Sequence, residues 1–349
     1  MTERDATRRR RRKTTVSRSV LFYKRMIAAT LAFIILTLTI LTLVFGIRLH
    51  RTRKTLEEAQ DRLFDLEMAE MQRRAEEEAG RLANVVPPEQ EKPAGEKNAT
   101  EILADNPIVA HALGAVDGIE GLNCLEGFVE RYNAGVRVFE ADLRMTSDGA
   151  VVLRHDWIGD LQEGIDTTHI PTLDEFLAKP ILGQYTPLSF HDLLLLMAQY
   201  PDVCIITDTK FMDAESTTAQ FRAMVEDAHK LGLSYLFDRI VVQVYSPDHF
   251  VVVDGVYHFP NYIYTLYQEN FGRTENAFRN KAVFCEENGI MGIALWEDWW
   301  DADYYPIADW RHIKVFVHTV NSASSARRLL RDGISGIYTD VLLPEDLEG

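Results

Sequence analysis

The sequence predicts an α/β protein, a (β/α)8 barrel of the TIM type, preceded by a single transmembrane helix and a helical stalk. Three observations predict it. Met26 to Ile47 runs for 22 residues without a charge. From about Ile102 onward, short apolar β-rich runs alternate with helix-length segments. Eight such runs fall within about 245 residues, the size and rhythm of a barrel.

The elements follow in chain order. Residues 1–25 form a basic tail containing Arg8 to Lys13, six basic residues in a row. At about 1.5 Å per residue, the uncharged stretch 26–47 spans roughly 33 Å, enough to cross a bilayer core of about 30 Å. Arg48, Arg51, Arg53 and Lys54 follow at once, where a cleaved leader would end in small residues. The heavier basic flank precedes the span, so the N-terminus is expected in the cytoplasm and the body outside the cell membrane. Residues 48–84 are rich in Glu, Arg, Ala and Leu, with Leu56, Ala59, Leu63 and Leu66 at 3-4-3 spacing. They read as a helical stalk that allows self-association. Residues 85–101 are polar and contain Pro, as a linker does. The barrel is expected over 102–349.

Charge narrows the function. Residues 1–54 carry +12, so the rest of the chain holds −28 of the total −16. An acidic body does not suit a nucleic-acid backbone, so no nucleic-acid partner is expected. It does suit a protein that gathers divalent cations. Cys124, Cys204 and Cys285 are odd in number and far apart, and they read as buried thiols rather than a disulfide framework or zinc site.

The expected barrel strands are 108–111, 136–142, 203–210, 240–245, 262–266, 292–296, 315–319 and 336–339. Helical patterns include 125–134, 189–199, 217–231 and 322–332. Ser189 to Asp192 opens one like a capping box, and Gly333 stops another. A doubly wound sheet is the alternative. It would show a glycine-rich turn after the first strand, which Gly114 to Gly121 matches poorly.

Chemistry concentrates at the C-terminal ends of these strands. Residues two apart in a strand share a face, so Glu140 and Asp142 point the same way. Two such carboxylates repel unless a cation lies between them. Asp208 and Lys210 end another strand on one shared face, and His111 ends the first. Asp148-Gly149 makes a turn from which residues 150–155 return, folding His155 toward the carboxylates. Three carboxylates without cysteine favour one hard divalent cation, calcium or magnesium. Two histidines supply an acid and a base, and Lys210 balances phosphate charge. This combination fits phosphodiester cleavage; carbonyl-directed acid–base chemistry fits the residues as well. Gln243 and Tyr245 at the fourth strand, and His318, are further candidates to face the pocket. So is an aromatic wall of Trp296, Trp299, Trp300, Tyr304 and Tyr305.

The pattern Ala110-His111, Asn123 to Phe128, Glu140-Ala141-Asp142, Thr146 to Val152, His155-Asp156, Asp208-Thr209-Lys210, His318 to Asn321 and Thr339-Asp340 resembles the glycerophosphodiester phosphodiesterase family. That family shares its barrel with phosphatidylinositol-specific phospholipase C. The resemblance covers about residues 107–345 and implies a divergent branch. It implies that Glu140, Asp142 and Asp208 hold the metal, that His111 and His155 are the acid and base, and that Lys210 contacts phosphate. It also implies that a neighbouring substrate hydroxyl attacks first, giving a cyclic phosphate that water opens. The chain departs from the family where an Arg usually follows the first histidine, since Ala112 stands there. Leu122 replaces a usual Glu, Asp208 a usual Glu, and His318 a usual Trp.

The expectation is a membrane-anchored phosphoric diester hydrolase that releases glycerol phosphate and an alcohol from glycerophosphodiesters. Its alternatives are a lysophospholipid or envelope glycerol-phosphate-polymer phosphodiesterase, and a non-catalytic barrel used as a binding module. Gln243, Trp296 and His318 are the expected substrate contacts beside Lys210.

Overall fold

The computed structural model describes residues 92–348 apart from 270, together with eight positions between 26 and 62. Those eight positions are helical. The expected span 26–47, stalk 48–84 and the first part of the linker, 85–91, otherwise lie outside the described residues. Among the described residues, no helix is long and apolar enough to cross a membrane.

Nine strands form one sheet. They are β1 (Ile108–Ala110), β2 (Val138–Met145), β3 (Val151–Leu153), β4 (Cys204–Thr209), β5 (Ile240–Val244), β6 (Tyr262–Thr265), β7 (Gly292–Trp296), β8 (Lys314–His318) and β9 (Gly336–Thr339). β1 pairs in parallel with both β9 and β2, so the sheet closes on itself. Closure excludes the open doubly wound sheet. Eight strands are parallel, and β3 is the antiparallel return of a hairpin on β2, with Leu143 opposite Leu153. The eight-stranded barrel expected from the sequence is therefore the observed one.

Alternation within each strand sorts its residues to two sides. Phe139, Ala141, Leu143, Ile205, Val242 and Tyr264 face outward into the main core, against the surrounding helices. Val109, Val138, Cys204, Ile206, Val241, Ile263, Ala294, Phe316 and Tyr338 form a separate buried cluster inside the barrel. Phe316 fills much of that interior because its neighbours are glycines. A Cβ on Gly292 or Gly336 would lie 2.8 or 2.3 Å from its ring.

A short helix, α1 (Ala99–Asp105), contributes Ala99, Ile102 and Leu103 to the same interior cluster. It is stabilised by a capping box in which Asn98 accepts from the Glu101 N–H and Glu101 accepts from that of Asn98. The helix straddles the expected boundary at 101/102. The expected capping box at Ser189 is present, reciprocated by Asp192. The helices Leu125–Asn133, Phe190–Gln199, Ala214–Leu231 and Ala323–Arg331 answer to the expected helical patterns, and Pro247–Val256 and Glu275–Glu287 add two more between the strands.

Candidate functional site

The interior cluster fixes which residues reach the mouth. Continuing each strand by two residues from an interior apolar position keeps the same face. Val109 leads to His111, and Val138 to Glu140, Asp142 and Arg144. Ile206 leads to Asp208 and Lys210, and Val241 to Gln243 and Tyr245. Ile263 leads to Thr265 and Tyr267, Ala294 to Trp296, Phe316 to His318, and Tyr338 to Asp340. A cavity of about 380 Å³ opens there, lined among others by His111, Glu140, Arg144, His155, Asp208, Lys210, Gln243, Tyr267, Trp296 and His318. The structure thus brings the expected catalytic and substrate-contact residues to one cavity, while Asp142 is buried against Lys210.

The three acids converge. Asp142 and Asp208 are register partners in adjacent parallel strands. One ligand oxygen from each of Glu140, Asp142 and Asp208 lies within 4.8 Å of the others. Local bonds aim each one. Glu140 Oε2 accepts from the Ala112 N–H at 2.7 Å. Asn123 donates from Nδ2 to Asp142 at 2.8 Å and accepts the Asp142 N–H at 3.0 Å. Asp208 accepts from the hydroxyls of Tyr245 and, at 2.8 Å, Tyr267. Lys210 pairs with Asp142 at 2.6 Å and with Asp208. Glu140 Oε1 is buried with no hydrogen-bond partner.

Electrostatics follow from this crowding. Burial and then the charge of Asp142 push Glu140 up to about 8. Burial would raise Asp208 as well, but Lys210 and the two tyrosines outweigh it and hold Asp208 below its ordinary value. Burial works against the Lys210 ammonium, yet Asp208, Asp142 and Glu140 prevail and hold it above its ordinary range. A hard cation fits this donor set. All three ligands are oxygens, and Glu140 Oε1 is an orphan that a positive charge would satisfy.

Each histidine is oriented by a carboxylate. His111 Nδ1 lies 2.7 Å from Asp340 Oδ1, and Asn321 donates to the other oxygen of Asp340 at 2.6 Å. His155 Nδ1 lies 2.9 Å from Asp156 Oδ2. An ionised carboxylate only accepts, so Nδ1 carries the proton in both rings and Nε2 is left for chemistry. Burial opposes the His111 cation. The bond to Asp340 and the charges of Glu140 and Asp142 outweigh burial and raise it to about 9. His155 is the more open of the two, with its side chain 56% exposed.

The remaining candidates divide. Gln243 accepts from Thr265 at 2.6 Å, which leaves its amide N–H groups as donors. Trp296 and His318 pack against each other with ring centres 4.4 Å apart, and Trp296 stays 40% exposed. Burial lowers His318 to about 4, so this ring is neutral. Tyr245 supports Asp208 rather than lining the cavity. The expected aromatic wall is corrected: of its five members only Trp296 lines the cavity. Trp299 packs on Phe271, and Tyr304 stacks on Phe278 at 4.5 Å, because that segment folds back onto the core. Sequence reasoning gave no role to Arg144, Asp340, Asn123 or Tyr267. Strand parity with Glu140 and Asp142 is the signal that would have found Arg144.

The sequence matches no family model and no curated protein. Its fold is that of solved glycerophosphodiester phosphodiesterases. A phosphodiesterase from Oleispira antarctica, solved with its product sn-glycerol-3-phosphate, is 16% identical at a TM-score of 0.57, over 72% of this chain and 98% of its own. A glycerophosphodiester phosphodiesterase from Parabacteroides distasonis is 17% identical at 0.56, over 70% and 96%. One from Agrobacterium tumefaciens is 12% identical at 0.53, over 69% and 98%.

Proposed function

We propose that this barrel hydrolyses phosphodiesters, with a glycerophosphodiester as substrate and glycerol phosphate and an alcohol as products. One observation carries the reading: two carboxylate-oriented histidines and a buried three-carboxylate cluster with an orphaned oxygen surround one cavity. The product seen in the Oleispira antarctica enzyme supports the substrate class.

Glu140, Asp142 and Asp208 would hold one divalent cation, calcium or magnesium. When bound, it would offset the negative charge that develops on phosphate oxygens. The chain's own residues do the rest. Nε2 of one histidine takes the proton of the attacking hydroxyl as its oxygen bonds to phosphorus. Nε2 of the other gives a proton to the departing oxygen as its bond to phosphorus breaks. Asp340 and Asp156 fix the tautomers that make this possible. When the attacker is a neighbouring substrate hydroxyl, water opens the resulting cyclic phosphate with the proton roles reversed.

We further place the barrel outside the cell membrane, behind an anchor at 26–47, with the stalk available for self-association. The test is turnover of glycerophosphocholine with chelator, calcium or magnesium, alongside lysophospholipid as competing substrate. Full activity in either His111→Ala or His155→Ala would refute the two-histidine mechanism. Failure to bind any divalent ion would favour a non-catalytic binding module.

A further inference from the structure

The cavity holds several cationic or protonatable groups, and most are already engaged. His111 is paired with Asp340, His155 with Asp156, and Lys210 with Asp142 and Asp208. Arg144 differs. It lies on the strand face of Glu140 and Asp142, one step further toward the mouth, and it lines the cavity. Its Nε donates to the His155 carbonyl oxygen at 3.0 Å, and its guanidinium lies 5.9 Å from the Phe211 ring centre. Among the described residues, neither Nη group has a hydrogen bond or a carboxylate within ion-pair distance. The Nε bond fixes the guanidinium plane while both Nη groups stay free, as a two-point grip on an anion requires.

We propose that Arg144 binds the non-bridging oxygens of the substrate phosphate through its two Nη groups, next to His155. This rests on the phosphodiesterase reading and deepens it. Residue 112 cannot serve: Ala112 is fully buried and its N–H is spent on Glu140. Lys210 is held by two carboxylates. Among the described residues that line the cavity, Arg144 is thus a cation whose terminal groups are free whether or not an ion displaces Lys210 from its carboxylates, and its Nε bond ties the anion's position to that of the histidine.

The test is calorimetric binding of glycerol 3-phosphate and of inorganic phosphate to the full chain with calcium present, beside steady-state kinetics on glycerophosphocholine. Arg144→Gln is expected to weaken binding of both anions by about 10–100-fold and to raise KM in step. Arg144→Lys keeps a point charge without the fork, and a loss of about 3–10-fold is expected. Melting curves check that each variant is folded, and if Arg144→Gln is not, the Lys variant decides. Wild-type affinity in either variant overturns the proposal, as does a fall in kcat with binding unchanged, the outcome for a mere strut of the hairpin. A wild-type chain that binds neither anion overturns it as well. Absence of turnover with anion binding intact and sensitive to Arg144 overturns the enzymatic reading but leaves the anion site standing.

Discussion

Lys210 and the proposed divalent cation would compete for the same carboxylates, which makes Lys210→Met an informative perturbation. The ammonium lies 2.6 Å from Asp142 and also contacts Asp208, with its side chain only 12% exposed. At an effective dielectric of about 20, a pair at that distance attracts by roughly 6 kcal/mol before desolvation is counted. Removing one partner of such a buried pair leaves a net loss of about 3–5 kcal/mol. A domain of roughly 250 residues loses about 2 °C in Tm per kcal/mol. The variant is therefore expected to melt about 6–10 °C below wild type in chelator at neutral pH. Calcium or magnesium would replace the missing charge. At about 100 times Kd it contributes roughly 2.7 kcal/mol and recovers between about half and nine tenths of the loss. The ion should also stabilise the variant more than the wild type, since no lysine must be displaced. The assay is a thermal melt of both proteins with chelator and across an ion titration. A Tm within about 2 °C of wild type in chelator, or a deficit that neither ion reduces, would refute the reasoning.

Three further predictions follow from single contacts. Asn123→Gly keeps the left-handed backbone at φ 52 but removes both bonds that aim Asp142, so calcium affinity by calorimetry should fall about 10–100-fold with the fold intact. Burial holds His249 down to about 4; the unfolded chain takes up a proton below about 6.5 while the folded one does not, so stability is lost as pH falls from about 6.5 toward 4, by about 2 kcal/mol at pH 5. Urea unfolding at pH 7 and 5 should show a smaller pH effect in His249→Leu by that amount, and an identical effect would refute the assignment. Gly336→Ala would set a Cβ 2.3 Å from the Phe316 ring, and a chemical-denaturation loss of about 1–3 kcal/mol is expected.

The barrel was legible because strand alternation and strand length both survive in the sequence. Interior and outward residues alternate cleanly on β2 and β4, so Glu140, Asp142 and Asp208 could be assigned to one face before their partners were known. What the sequence cannot carry is the pairing around the ring. Asp340 lies 229 positions from His111, yet closure of β9 on β1 makes them partners. Tyr267, just beyond β6, reaches Asp208 on β4 across 59 positions because β5 pairs with both strands. The aromatic run after β7 misled because composition alone does not tell a cavity wall from a loop folded onto the core. The short turns Glu297–Trp299 and Ala302–Tyr304, which send Tyr304 inward onto Phe278, have no periodicity to read.

The departures at the acids can be argued together. Asp208 is one methylene shorter than a glutamate, and Tyr245, Tyr267 and Lys210 all converge on it. Ala112 brings no guanidinium, but its backbone N–H is the donor that aims Glu140, and it does so from a left-handed conformation at φ 48. Leu113, Asp117 and Asn123 are left-handed as well, so four left-handed non-glycine residues stand in the segment that feeds Glu140 and Asp142. Such conformations cost about 1–3 kcal/mol each. Replacing a buried ionic cluster with packed apolar side chains is commonly neutral or stabilising. A barrel serving only as a scaffold would therefore be at least as stable without these acids and without the strained segment. Stability does not account for a buried carboxylate with an orphaned oxygen beside left-handed backbone, whereas the cation binding proposed above would.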